Sequence, residues 1–167
     1  MTERGWCYIG IDESNHGRHP EIFVAALSRR QDSAIIYPKI RFRKERKHSR
    51  LKERLDCQDY RFTLVTEGQK RLPDIVSTLL EPEIHLDSKG INIYLDGLIQ
   101  EEECLEIKRR ISDETGVSYV EIYSGSKFDQ RVGIVNLADE IANWLYRESL
   151  INLSDNKRLR RIKSISK

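Results

Sequence analysis

The sequence predicts an α/β protein built on a mixed sheet, an antiparallel three-strand meander leading into parallel βαβ units, with helices flanking it. Three observations carry this. Short apolar runs separated by turn residues fill the first part of the chain of 167 residues. Apolar stripes at helical spacing fill the second part and alternate with further short apolar runs. Consecutive strands favour hairpins, and strands separated by helices favour right-handed crossovers, so one sheet contains both kinds of neighbour.

The first strand is expected over Trp6-Cys7-Tyr8-Ile9-Gly10-Ile11, which stops at the adjacent acids Asp12 and Glu13. Ser14, Asn15 and Gly17 read as a turn, and Ile22 to Leu27 as the returning strand of a hairpin. A third strand is expected from Ala34 to Phe42, at a sheet edge because Pro38 lacks a ladder donor. Residues 43–57 read as a basic helix with only Leu51 and Leu55 as a thin apolar seam. Arg61 to Val65 is a short further strand.

From Gln69 to Leu80 the stripe of Leu72, Ile75, Val76, Leu79 and Leu80 predicts a core-facing helix that ends before Pro82. Ile91 to Leu95 forms a strand that closes on Asp96-Gly97. Glu101 to Thr115 is a helix with Cys104, Ile107 and Ile111 inward, closed by Gly116. Val117 to Tyr123 is a strand running into Ser124-Gly125-Ser126-Lys127. The last helix, Arg131 to Glu148, buries Ile134, Leu137, Ala138, Ile141 and Leu145, with Asp139 at the border of that arc. Residues after Leu153 lack periodicity. The chain thus divides into a domain over 1–153, with a basic helical insertion at about 39–57, and a basic, flexible tail over 154–167.

Composition narrows the function classes. A hydrophobic fraction of 38% beside a charged fraction of 34% describes a soluble protein with a highly charged surface. No run is long enough to cross a membrane, and Met1-Thr2-Glu3-Arg4 leads into no signal-peptide core, so a cytoplasmic location is expected. Three widely spaced cysteines suggest neither a disulfide framework nor a zinc site. The net charge of +2 hides an asymmetry: nine Lys or Arg against two Glu from Lys39 to Arg54, and six basic residues with no acid from Lys157 to Lys167. An acidic body with two basic appendages suits a partner that is a polyanion, and nucleic acid is the expected partner.

The chemistry rests on acids that close separate elements: Asp12 and Glu13 after the first strand, Asp96 after the later one, and Asp139 on the final helix. If the strands bearing Asp12 and Asp96 are parallel neighbours, the two carboxylates share one end of the sheet, and the last helix can add Asp139. Converging carboxylates repel unless cations neutralise them. Hard oxygen donors favour Mg²⁺ or Mn²⁺, and two such ions roughly 4 Å apart are a known device for in-line attack on a phosphodiester. Singly, each acid has an ordinary use, as a turn former at a strand end or an exposed helix residue. His16 reads as a loop residue, and Tyr8, Tyr94, Tyr119 and Tyr123 as packing residues.

The order of elements, with acids at these ends, resembles the ribonuclease H-like superfamily. The opening IGIDESNHGR is similar to type 2 ribonucleases H, whose first strand ends in Asp-Glu before a turn containing glycine and arginine. It is more similar to an uncharacterised group of that superfamily that begins with Asp-Glu-Ser-Gly and ends with Ser-Lys and a helix carrying Gln-x-Ala-Asp. Ser126-Lys127 and Asn136-Leu137-Ala138-Asp139 match that ending, with Asn136 in place of glutamine; Asn15 stands where the group often has glycine. The resemblance spans roughly residues 6–149. His19 follows Arg18, so the full glycine-arginine-glycine turn is absent.

This resemblance implies that Asp12, Asp96 and Asp139 hold two Mg²⁺ or Mn²⁺ ions, and that Glu13 completes a catalytic set of four. Glu13 serves either as a fourth ligand or as a partner of the substrate's sugar. The implied activity is hydrolysis of nucleic acid by a two-metal mechanism. Arg43, Lys44, Arg46 and Lys47 of the basic helix, with Lys127, are the expected phosphate contacts. The alternative from another class is a non-catalytic nucleic-acid-binding module of the same fold. A nucleotide site of the actin-like ATPase kind is a third reading, and the glycine-rich phosphate loops it needs are absent.

Overall fold

Alternation of apolar side chains organises the sheet. In the computed structural model, which describes residues 5–14, 21–37, 59–65, 71–80 and 88–154, β1 (Trp6–Ser14) and β2 (Glu21–Ser28) form the expected hairpin. β3 (Asp59–Val65), β4 (Gly90–Asp96) and β5 (Val120–Gly125) complete one five-stranded sheet in the order β3-β2-β1-β4-β5. The β1–β2 and β2–β3 pairs are antiparallel, while β1–β4 and β4–β5 are parallel. This is the mixed sheet that the element order predicted.

Helices cover both faces. α1 (Leu72–Leu79) and α2 (Glu101–Thr115) lie on one side, and the one-turn α3 (Phe128–Arg131) and the long α4 (Gly133–Ser154) on the other. Odd-numbered residues of β1, Cys7, Ile9 and Ile11, pack with Ile75, Leu79, Ile107 and Ile111. On the opposite face, Tyr8, Val24 and Phe62 pack with Ile134, Leu137, Ile141 and Leu145 of α4. Each buried Ile or Leu contributes roughly 1.5–3 kcal/mol relative to exposure. β1 and β4 are therefore buried on both sides, as their nearly unbroken apolar runs require. Gly116 closes α2 in the left-handed conformation, φ 69°.

Four expectations need correction. The third strand of the meander is Asp59–Val65; of the segment expected from Ala34, residues 31–34 form a 3₁₀ turn, and Ile36 makes only an isolated bridge to Val132. Asp59–Val65 wins the edge of β2 because Tyr60, Phe62 and Leu64 bury on one face of the sheet, whereas Ile35 and Ile36 remain exposed. β1 does not stop at its acids but carries Asp12, Glu13 and Ser14 into the ladder opposite Val24, Phe23 and Ile22. β5 starts and ends later than expected, at Val120–Gly125. The last helix is broken: Val132 takes an extended conformation, φ −124°, to meet Ile36, and separates α3 from α4. The basic segment expected at 39–57 and the tail after Ser154 lie outside the described residues.

Candidate metal centre

β1 sits at the centre of the sheet, and its far end carries the first acid. The last paired couple of β1 and β4 is Ile11 with Leu95, so Asp12 and Asp96 follow as neighbours on adjacent parallel strands. Both continue the face of Tyr8 and Tyr94, which is the face covered by α4. The helix approaches closely at Gly10: a methyl there would meet the carbonyl carbon and oxygen of Ile134 at 2.5 Å. From that crossing, five helical residues advance about 7.5 Å and two strand residues about 6.6 Å. Asp139 therefore arrives over Asp12. Its Oδ1 accepts a hydrogen bond of 3.0 Å from Asn143 Nδ2, one turn further on.

A further acid arrives from α3. One carboxylate oxygen each from Asp12, Asp129 and Asp139 lie within 4.8 Å of one another. Asp12 is 2% exposed and Asp139 7%. Asp96 flanks this trio, its Oδ1 accepting the backbone N–H of Asp129 at 3.3 Å. The sheet end and two helices thus bring three aspartates together, with Asp96 at their edge.

The electrostatic consequence falls on Asp12. Burial, reinforced by the charges of Glu13, Asp139 and Asp96, pushes its carboxyl up to about 9. The Glu13 N–H donates to Asp12 Oδ1 at 2.8 Å and pulls the other way, too weakly to compensate. A carboxyl in this position holds a proton or needs a cation beside it. The donor set is made only of hard, anionic oxygens, two of its members buried, and it fits a hard divalent cation better than softer metals.

Of the residues expected at the site, Asp12 and Asp139 share the cluster, with Asp129 as its third member; Asp96 stands beside it, its Oδ1 on the Asp129 N–H. Glu13 points to the opposite face of the sheet, because β1 remains extended through it and pairs it with Phe23 of the α1/α2 core. Its charge still reaches Asp12. Lys127 is exposed, two residues before Asp129, and turns the chain into α3 in the left-handed conformation, φ 61°. Arg43, Lys44, Arg46 and Lys47 lie outside the described residues. Asp129 was missed by sequence reasoning. The available signal was its place just after β5, much as Asp96 closes the neighbouring parallel strand; the expected helix boundary at Arg131 left it in a loop.

Beside the acids, Tyr94 stacks on Tyr123, ring centroids 4.9 Å apart and planes within 14°. Burial, then the neighbouring Tyr123 and Tyr8, push the Tyr94 hydroxyl up to about 12.

The sequence matches no protein-family model and no curated protein. Solved structures do match. Ribonuclease H2 from Pyrococcus horikoshii OT3 is 16% identical, with a TM-score of 0.57 over 90% of this chain and 76% of that one. Ribonuclease HII from Archaeoglobus fulgidus, solved in complex with PCNA, is 14% identical, with a TM-score of 0.59 over 89% of this chain and 76% of its own. A glutamine-to-alanine variant of Bst ribonuclease HIII is 18% identical, with a TM-score of 0.51 over 89% of this chain and 54% of its own. The mixed five-stranded sheet, its flanking helices and these likenesses together give the chain a ribonuclease H-like α/β fold.

Proposed function

We propose that this protein is a divalent-metal-dependent nuclease that hydrolyses phosphodiester bonds of nucleic acid. The observation that carries this reading is the convergence of Asp12, Asp129 and Asp139 from three separate elements, with Asp96 beside them. Asp12, Asp139 and Asp129 would hold the ions, and Asp96 would share one or orient Asp129. Mg²⁺ or Mn²⁺, two ions being the expected number, would activate water and stabilise the departing oxygen. Glu13 adds negative charge that holds Asp12 protonated until a cation arrives, and its second role is as a partner of the substrate's sugar. Within the ribonuclease H-like fold, the Asp12-Glu13-Ser14 start and the Ala138-Asp139 ending favour the Asp-Glu-Ser-Gly group.

The chain's own basic residues supply the grip on substrate in this reading. Lys127 stands exposed beside α3, and Arg43, Lys44, Arg46 and Lys47 add charge from the basic insertion of a domain spanning 1–153. The tail over 154–167 adds a second cationic segment. Such contacts to phosphate are independent of sequence and weaken with salt. A cytoplasmic location accords with this role, and no described helix is long and apolar enough to cross a membrane.

The test is a pair of measurements on the wild type and Asp12→Asn. Mn²⁺ should raise the melting temperature of the wild type and leave the variant unchanged. Labelled RNA, DNA and RNA–DNA hybrid should be cut by the wild type alone. Metal binding without cleavage of any substrate would select the non-catalytic binding module. Indifference of the wild type to Mn²⁺ would remove the metal-dependent reading.

A further inference from the structure

The one-turn helix α3 cannot hold its own shape. Four residues are too few to repay helix nucleation, so the position of Asp129 depends on what anchors α3 from outside. Phe128 supplies one anchor, its ring lying buried against Gly125 at the end of β5. Arg131 supplies a second, its carbonyl accepting the Tyr37 N–H and its Nε donating to the Tyr37 carbonyl, both at 3.0 Å. Two more act on the backbone of Asp129 itself. Its N–H donates to Asp96 Oδ1 at 3.3 Å, and its carbonyl accepts from Asn136 Nδ2 at 3.0 Å. Asn136 lies in the first turn of α4, is 1% exposed, and sits among Val135, Leu137 and Ala138, which all face the core. A buried amide is costly unless it is hydrogen-bonded. The bond it makes is directed at the backbone of a residue whose carboxylate joins Asp12 and Asp139.

We infer that Asn136 is a positioning residue for the metal centre, acting through Asp129. This rests on the metal-dependent reading above. The same helix that carries Asp139 reaches back three residues earlier in its sequence to fix the carbonyl of Asp129, so two of the acids are set by one rigid element. Asp96 fixes the N–H of the same residue, in the preceding peptide. The backbone of Asp129 is thereby clamped between the two elements bearing its neighbours, which sets where its side chain starts.

The experiment is Mn²⁺ binding by calorimetry to the wild type, Asn136→Ala and Asn136→Gln, with metal-free melts alongside. Loss of an outer partner of a metal ligand commonly costs about 10–100-fold in affinity, and Asn136→Ala should fall in that range. Asn136→Gln keeps the amide and should recover most of the loss. In an Asp129→Asn background, adding Asn136→Ala should change Mn²⁺ affinity little, because the ligand it positions has already gone. If Asn136→Ala melts below the assay temperature, Asn136→Ser and the Gln variant carry the comparison. A lower melting temperature with wild-type Mn²⁺ affinity would reduce Asn136 to a packing role and overturn the inference. So would an undiminished loss in the Asp129→Asn background. A wild type that binds no Mn²⁺ would overturn the metal-dependent reading itself, a result distinct from both.

Discussion

Gly10 lies directly beneath the Ile134 peptide, so close that a methyl on Gly10 would stand 2.5 Å from the Ile134 carbonyl. That contact sets the height of α4 above β1, and with it the distance between Asp139 and Asp12. Gly10→Ala must lift the helix, since the obstruction is backbone and cannot rotate away. Overpacking of this kind costs about 1–3 kcal/mol, and thermal melts should show it. Mn²⁺ affinity should fall as well, because the lifted helix carries Asp139 with it. A variant with wild-type stability would show that α4 slides freely over β1.

Asp12 predicts a pH dependence for the metal-free protein. Its folded carboxyl titrates at about 9 against an ordinary value of 3.8. Between those values the folded state keeps a proton that the unfolded chain has lost, so rising pH favours unfolding, by at most about 1.4 kcal/mol per pH unit. Below that window both states are protonated and the effect vanishes. Metal-free wild type should therefore lose stability from about pH 4 to pH 9, and Asp12→Asn should lose much less over the same range. Equal slopes for the two proteins would assign the pH dependence to other groups.

Metal binding should rank the acids. Asp129→Asn should abolish most of the Mn²⁺ stabilisation, which for the wild type is about 2.7 kcal/mol at a hundredfold excess over Kd. Glu13→Gln should lose less, because Glu13 faces away from the trio. Removing the Glu13 charge should also ease ionisation of Asp12, moving the pH dependence of Mn²⁺ binding to lower pH. Melts with and without Mn²⁺ give the order, and a greater loss for Glu13→Gln would reverse it.

For Asp96 the expected outcome is a gain without metal and a loss with it. Asp96→Asn removes a charge that opposes ionisation of Asp12, while keeping an oxygen to accept the Asp129 N–H. Metal-free stability at neutral pH should stay level or rise, and the Mn²⁺ increment should shrink. A cost of about 1 kcal/mol or more, with no change in the Mn²⁺ increment, would make Asp96 a structural hydrogen-bond acceptor only.

The basic segment is tested by salt. Charge-neutral replacement of Arg43, Lys44, Arg46 and Lys47 should flatten the dependence of duplex-DNA binding on salt. The slope of log K against log [salt] should fall in magnitude by about 0.9 for each phosphate that the variant no longer neutralises. An unchanged slope would remove these residues from the interface.

Local pattern determined much of this protein. The apolar runs of β1 and β2, the stripe of α1, the Glu101–Thr115 helix with its Gly116 cap, and the acids at the ends of β1 and β4 are all legible in neighbouring residues. Periodicity and capping are short-range, so a sequence displays them directly. What only the tertiary structure decided is which elements compete for the same edge and where a helix must break. Ala34 to Tyr37 and Asp59–Val65 both have β-forming residues, and the edge of β2 went to the one that buries Tyr60, Phe62 and Leu64. Val132 left the helix to bridge Ile36, a partner 96 positions earlier in the chain, and that break created the separate turn that presents Asp129. Strand alternation by itself sends Glu13 and Asp12 to opposite faces, and pairing with β2 decided that the strand stays extended that far. Each of these outcomes depends on contacts between residues far apart in sequence, and pairing energies of that kind leave no local periodicity to read.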